Sequence, residues 1–270
     1  YRGERSRFFG ADTVPPADST IGQPLNIDSD FYHRQLLDDA RIAAMKAAQS
    51  DEVRQLVHGY TAGYNRFVAE RKAGTVGGHE ACADQPWVRA LQEDDVWRRM
   101  HALTLAGGYA YMVSAIANAR PPAVIAARVG DERPMKAVAA TALPHPALAS
   151  TGAWPLNFGG HAGIGSNAYA FGSDATGTSS GLLFGNPHWY WRGPDRFYQQ
   201  QLTIDGVINV SGTSVLGQPI ILIGFNNNVA WSHTVSTARR FGLYQYTPDP
   251  DNAAAVLIDG KSTPLTANVI

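Results

Sequence analysis

One cysteine in 270 residues leaves no intrachain disulfide to hold this chain together. That residue, Cys82, reads first as a small buried hydrophobe; pairing with a cysteine outside the chain would suit an exported protein. Basic tracts are missing as well. Lys and Arg number 22 against 23 Asp and Glu, a net charge of −1, which leaves no electrostatic footprint for nucleic acid. No apolar run is long enough to cross a membrane. No signal peptide opens the chain, yet the first residue is Tyr1 rather than Met, and the pattern stops at Ile270 within continuing strand character. The chain is therefore read as a piece of a longer protein whose ends carry no weight about export. Zinc finds no ligand pattern, because His145, His161, His188 and His233 are widely spaced.

What is present suits a packed domain. With 44% hydrophobic and 17% charged residues, the chain can bury a sizeable core in one or two domains. Tyr1 to Gly10 is basic and aromatic and is expected to begin at a strand or turn; Gly10 to Pro24 reads as loop. Asp28, Ser29 and Asp30 offer N-caps for a helix from about Asp30 to Gln49, with Phe31, Leu36, Leu37, Ile42 and Met45 in its stripe. A second helix is expected over Asp51–Lys72, its core face formed by Val53, Leu56, Val57, Tyr60, Tyr64, Phe67 and Val68. A third covers Glu93–Leu105, with Val96, Trp97, Met100 and Leu103 inward. A fourth covers Tyr109–Ala119 and ends at Pro121-Pro122. From Pro121 to Gly165 periodicity fades into Pro, Ala and Gly. Beyond it short strands are expected at Ala168–Gly172, Leu182–Gly185, Phe197–Ile204, Val207–Ser211, Ile220–Ile223 and Val229–His233. Asp205-Gly206 is a hairpin signal. Helices first and strands after argue α+β rather than alternating βαβ.

The junction between the two halves carries the chemistry. Ser166 follows the flexible run Gly159-Gly160-His161-Ala162-Gly163-Ile164-Gly165 and heads an apolar strand. A cut at Gly165–Ser166 would give Ser166 a hydroxyl and a free α-amine. An amine of pKa about 7.7–8.0 is partly neutral near pH 7 and can serve as base. One residue would then be both nucleophile and base. Taken alone, a serine after a glycine loop is ordinarily just a strand start.

Several motifs in order sharpen the reading. Gly165-Ser166-Asn167-Ala168, Asn186-Pro187-His188-Trp189-Tyr190-Trp191-Arg192-Gly193, Arg196-Phe197-Tyr198 and Trp231-Ser232-His233-Thr234-Val235 together resemble the start of the β-chain of the penicillin amidase family. Within it they most resemble acyl-homoserine-lactone acylases and aculeacin A acylase. The resemblance covers most of the chain and implies an N-terminal-nucleophile hydrolase with an αββα sandwich. Residues 1–142 would belong to a mainly helical α-chain, 143–165 to a spacer removed on maturation, and 166–270 to the incomplete start of the β-chain. The two chains would form a heterodimer cut from one periplasmic or secreted precursor.

By the same resemblance Ser166 is the nucleophile, His188 tunes its amine, and the Val235 N–H is one oxyanion donor, with the second beyond Ile270. Trp189 would wall the acyl pocket, with Tyr111, Met112, Ile116, Val215 and Leu222 as further pocket candidates. Trp191, Arg192 and Arg196-Phe197-Tyr198 are expected to serve packing and charge anchoring. A family calcium site is in doubt, because Arg239 and Arg240 stand where carboxylates would be needed; no cofactor is expected. The implied activity removes an acyl chain from a small amide such as an acyl-homoserine lactone, a lipopeptide or a penicillin, with little turnover expected from residues 1–270 alone. A conventional serine hydrolase is set aside on the expectation that no G-x-S-x-G elbow is present. The reading from another class is a non-catalytic β-rich ligand-binding protein, or an inactive homologue.

Overall fold

The computed structural model describes residues 1–16, 19–20, 22–106, 108–119, 165–236 and 244–270. The expected linker and spacer, Gly165 excepted, lie outside the described residues. Contacts divide the chain into one unit of residues 1–117 with 157–240 and a second of 118–156 with 241–270.

In the first unit the helices come first. Arg5–Phe9 forms a short helix, α1, which the sequence did not announce. Its start is capped from a distance: the Asp30 carboxylate accepts the backbone N–H of Arg5 at 2.7 Å and of Ser6 at 2.8 Å. The helix expected over 30–49 is two helices, α2 (Asn26–Leu36) and α3 (Asp39–Ala47). The break falls where the Asp38 carboxylate turns back to accept the Arg41 N–H at 2.9 Å, an N-cap inside the apolar pattern.

Helix α4 spans Asp51–Lys72 and α5 spans Glu93–Leu105, each with the expected bounds. Ser50 caps the first, and Gln92 with Asp95 forms a reciprocal capping box on the second. The fourth helix is shorter than expected: a 3₁₀ turn over Tyr109–Met112 leads into α6, Val113–Ala117. Leu37, Ile42, Val57, Val96, Trp97 and Ala102 form the buried core of this layer. Phe31 and Phe67, expected in the stripes, stay partly exposed, and Cys82 is exposed rather than buried.

The strands follow in two sheets. β1 (Gly165–Phe171) pairs antiparallel with β2 (Leu182–His188), in register from Gly165–His188 to Phe171–Leu182. A short helix, α7 (Ser173–Thr176), lies between them. The second sheet has the order β3 (Phe197–Ile204), β4 (Ile208–Val215), β5 (Ile223–Phe225), β6 (Ala230–Trp231), all antiparallel. The β3–β4 hairpin turns where Asp205-Gly206 predicts, with Gly206 at φ 71°. β4 and β5 meet so closely that a Cβ on Gly212 would sit 2.1 Å from the Ile223 carbonyl oxygen. No other residue type fits there without moving backbone.

A buried ion pair joins the helical and strand-rich segments of this unit. Arg99 of α5 places Nη1 2.8 Å from Oδ1 of Asp195, with the side chains 6% and 1% exposed. Arg99 also donates to the carbonyls of Leu216 at 2.8 Å and Pro194 at 3.0 Å and to the Tyr1 hydroxyl at 2.6 Å. Asp195 accepts the Thr20 N–H at 2.7 Å and its hydroxyl at 3.0 Å. The Arg99 stem lies against Gly217, where a Cβ would come 2.8 Å from its Cγ.

In the second unit, residues 244–270 carry a three-stranded antiparallel sheet: β7 (Thr247–Pro248), β8 (Ala255–Ile258) and β9 (Lys261–Pro264). Ala255 is its buried centre.

Candidate active site

A cavity of about 470 Å³ opens between the helices and the strands of the first unit. Met45 of α3 and Met100 and Leu103 of α5 supply one wall. Trp189, Phe197, Val215, Leu222 and Ile223 supply another, and Ser166, His233, Thr234 and Val235 also line it. Elements distant in sequence thus converge on Ser166. The apolar lining suits an aliphatic or aromatic chain.

Ser166 is the second residue of β1, half-buried, opposite Pro187. Its hydroxyl donates to the carbonyl of Gly165, the residue before it. His188 stands opposite Gly165 across the hairpin, and a Cβ on Gly165 would lie 3.8 Å from its Nδ1. His188 Nε2 lies 2.7 Å from Asn186 Oδ1, with the Asn167 amide nitrogen farther off at 3.4 Å. An amide oxygen can only accept, so Nε2 donates to it; the other ring nitrogen, Nδ1, is on the Gly165 side. Among the described residues no acceptor is paired with the Val235 N–H.

Trp189 is fixed from both ends: its Nε1–H donates to the Asp195 carbonyl at 2.6 Å, and its ring stacks on Phe197 with centroids 6.0 Å apart. Tyr198 donates its hydroxyl to the Gln218 carbonyl at 2.8 Å. Burial pushes the Tyr198 phenol up to about 12, so it stays a neutral donor there.

Of the residues singled out from sequence, Ser166, Trp189, Val215, Leu222 and Val235 meet at this cavity. His188 sits beside Ser166 on the neighbouring strand. Met112 and Ile116 do not line it, and the Tyr111 side chain lies outside the described residues, as do Arg239 and Arg240. Trp191 does not pack: it is 94% exposed. No group of acidic, His or Cys side chains that could hold a metal occurs among the described residues.

Sequence reading missed Met45, which looked like plain core, and Gln218, which no motif singled out. It also missed that Gly177-Thr178-Ser179-Ser180-Gly181 does spell G-x-S-x-G. That string leads from α7 towards β2 with Ser179 exposed, a helix-to-strand connection. A nucleophile elbow runs the other way, from strand to helix. The elbow reading therefore fails on geometry, not on absence of the string.

Comparison with known proteins bears on the same residues. The family model described as penicillin amidase matches residues 1–269. The chain belongs to the penicillin amidase family. Its relatives include an acyl-homoserine lactone acylase PvdQ of Pseudomonas savastanoi pv. phaseolicola, 38% identical over 96% of this chain and 31% of the relative. The PvdQ of Pseudomonas putida is 37% identical over 99% of this chain and 32% of its own length. An aculeacin-A acylase of Actinoplanes utahensis is 36% identical over 99% of this chain and 32% of its own. The chain thus spans about a third of the length of the curated relatives it matches. In this member of the penicillin amidase family, mixed helix and antiparallel sheet agree with the α+β class expected from sequence.

Proposed function

We propose that the complete protein is an acylase of the αββα N-terminal-nucleophile type, hydrolysing the amide bond between an acyl chain and a small amine. The observation that carries this reading is that Ser166 and Val235 line one apolar cavity. Cleavage of Gly165–Ser166 frees the Ser166 amine beside His188, the cross-strand neighbour of Gly165, and the neutral His188 ring can hold that amine in position through Nδ1. The amine takes the hydroxyl proton as Oγ attacks the amide carbonyl. The Val235 N–H stabilises the oxyanion, a role worth about 3–4 kcal/mol per donor in well-studied hydrolases. The proton passes to the leaving amine, the acyl group stays on Oγ, and water releases it as the free acid.

On this reading residues 1–142 and 166–270 belong to two chains of one exported heterodimer, with 143–165 removed as spacer. The substrates are acyl-homoserine lactones, lipopeptides or penicillins, giving a role in signal quenching or antibiotic chemistry. Uncut, the Ser166 nitrogen is an amide and cannot act as base, so maturation is required for turnover.

N-terminal sequencing of the complete expressed protein is the test. Wild type should yield a polypeptide beginning Ser-Asn-Ala-Tyr and hydrolyse acyl amides; Ser166→Ala should stay whole and inactive. A wild type that remains one intact chain would overturn the mechanism and leave a ligand-binding protein or an inactive homologue.

A further inference from the structure

The cavity is not uniformly apolar. Gln218, 4% exposed, lines it, and its side-chain Nε2 is buried with no hydrogen-bond partner among the described residues. The neighbouring glutamine differs. Gln200 donates its Nε2–H to the Ile220 carbonyl at 3.0 Å, so its amide donor is used within the fold. The Gln218 backbone is equally engaged: its N–H donates to the Val215 carbonyl at 3.2 Å and its carbonyl accepts the Tyr198 hydroxyl at 2.8 Å. Backbone bonds thus fix the residue in place while its side-chain donor is left over.

A buried donor without an acceptor is costly, and buried polar groups in folded proteins are nearly always satisfied. Gln218 stands with Val215, Leu222 and Trp189 along the cavity rather than on the outer surface. The group that can satisfy it is therefore one that enters the cavity.

Resting on the acylase reading, we propose that Gln218 is a specificity-determining residue, and that the preferred acyl chain carries a hydrogen-bond acceptor oxygen (hydroxyl, keto or ether) placed to meet its Nε2–H. A plain alkyl chain fills the same space but leaves the donor unpaired. A site built to hydrogen-bond a substrate discriminates strongly against the analogue lacking that group. The expected preference for the oxygenated chain is roughly tenfold to a hundredfold in kcat/KM.

The test uses the complete mature protein, as wild type, Gln218→Met and Gln218→Glu. Two series of probes are needed: p-nitroanilides of plain alkanoic acids and of their hydroxy analogues with the oxygen moved along the chain, and the corresponding free acids. Wild type should favour at least one hydroxy position in both turnover and calorimetric binding. Gln218→Met, which keeps the side-chain volume, should erase that preference and improve the plain chain; Gln218→Glu, which removes the donor, should also erase it. The proposal is overturned if wild type shows no oxygen preference, or if the preference survives in Gln218→Met. Binding of the free acids needs no turnover. A protein that cuts no anilide yet binds hydroxy acids through Gln218 would fail the acylase reading and uphold this one. Hydrolysis with equal use of plain and oxygenated chains would do the reverse.

Discussion

The buried Arg99–Asp195 pair sets up the sharpest test of what holds this unit together. Arg99→Met keeps most of the stem that lies along Gly217 and removes only the guanidinium. Asp195, 1% exposed, then retains just the two Thr20 donors. Removing one partner of such a pair costs about 3–5 kcal/mol, because a charge stays buried without its counter-charge. Asp195→Leu strands the guanidinium instead, leaving it the Leu216 and Pro194 carbonyls and the Tyr1 hydroxyl. The double variant buries no charge and should be no less stable than either single one. With a slope of about 2–3 kcal/mol per molar urea, a loss of about 4 kcal/mol lowers the midpoint by about 1–2 M. The assay is urea unfolding of the complete protein followed by tryptophan fluorescence. Losses that simply add, to within about 0.5 kcal/mol, would refute the reasoning, since they would mean the two groups do not interact.

Two further outcomes are expected. His33 donates from Nδ1 to the Ser29 carbonyl at 2.7 Å, its Nε2 is buried with no partner among the described residues, and burial first of all lowers its pKa to about 3. The native state then holds fewer protons than the unfolded chain between pH 6.5 and 3, so stability falls as pH drops through that window, by about 5 kcal/mol at most; His33→Asn should flatten the acid limb of a stability–pH profile relative to wild type. Gly212→Ala should cost at least about 1–3 kcal/mol by forcing β4 from β5, and should also lower acyl-amide turnover because Leu222 and Ile223 line the cavity; an unchanged melting temperature would contradict this.

Much of the architecture was legible because its signals are local. Helices α4 and α5 begin at caps supplied by their own neighbours, Ser50 and Gln92, and carry apolar stripes at helical spacing. Helix α1 was not legible: its cap is Asp30, 25 residues away, and nothing in Arg5–Phe9 announces it. The split between α2 and α3 hid because Asp38 interrupts an apolar rhythm that otherwise continues. At the site, Ser166, Trp189 and Val235 could be named from motifs that run together in the sequence. Met45 and Gln218 could not. Their place at the cavity depends on how α3 and the turn after β4 meet in space, and no spacing along the chain encodes that meeting.

The register of β1 has a consequence for timing. Chain termini made by proteolysis usually fray, and a frayed nucleophile would have to be recaptured before every turnover. Here the proposed scissile bond lies inside a paired strand. Its hydrolysis removes only the Gly165–His188 pairing, while those from Ser166–Pro187 to Phe171–Leu182 remain. If that bond is cut as proposed, the new amine stays on a strand that the hairpin still holds. On that proposal the entropy of holding the nucleophile still would be settled once, during folding, and would not recur in each catalytic cycle.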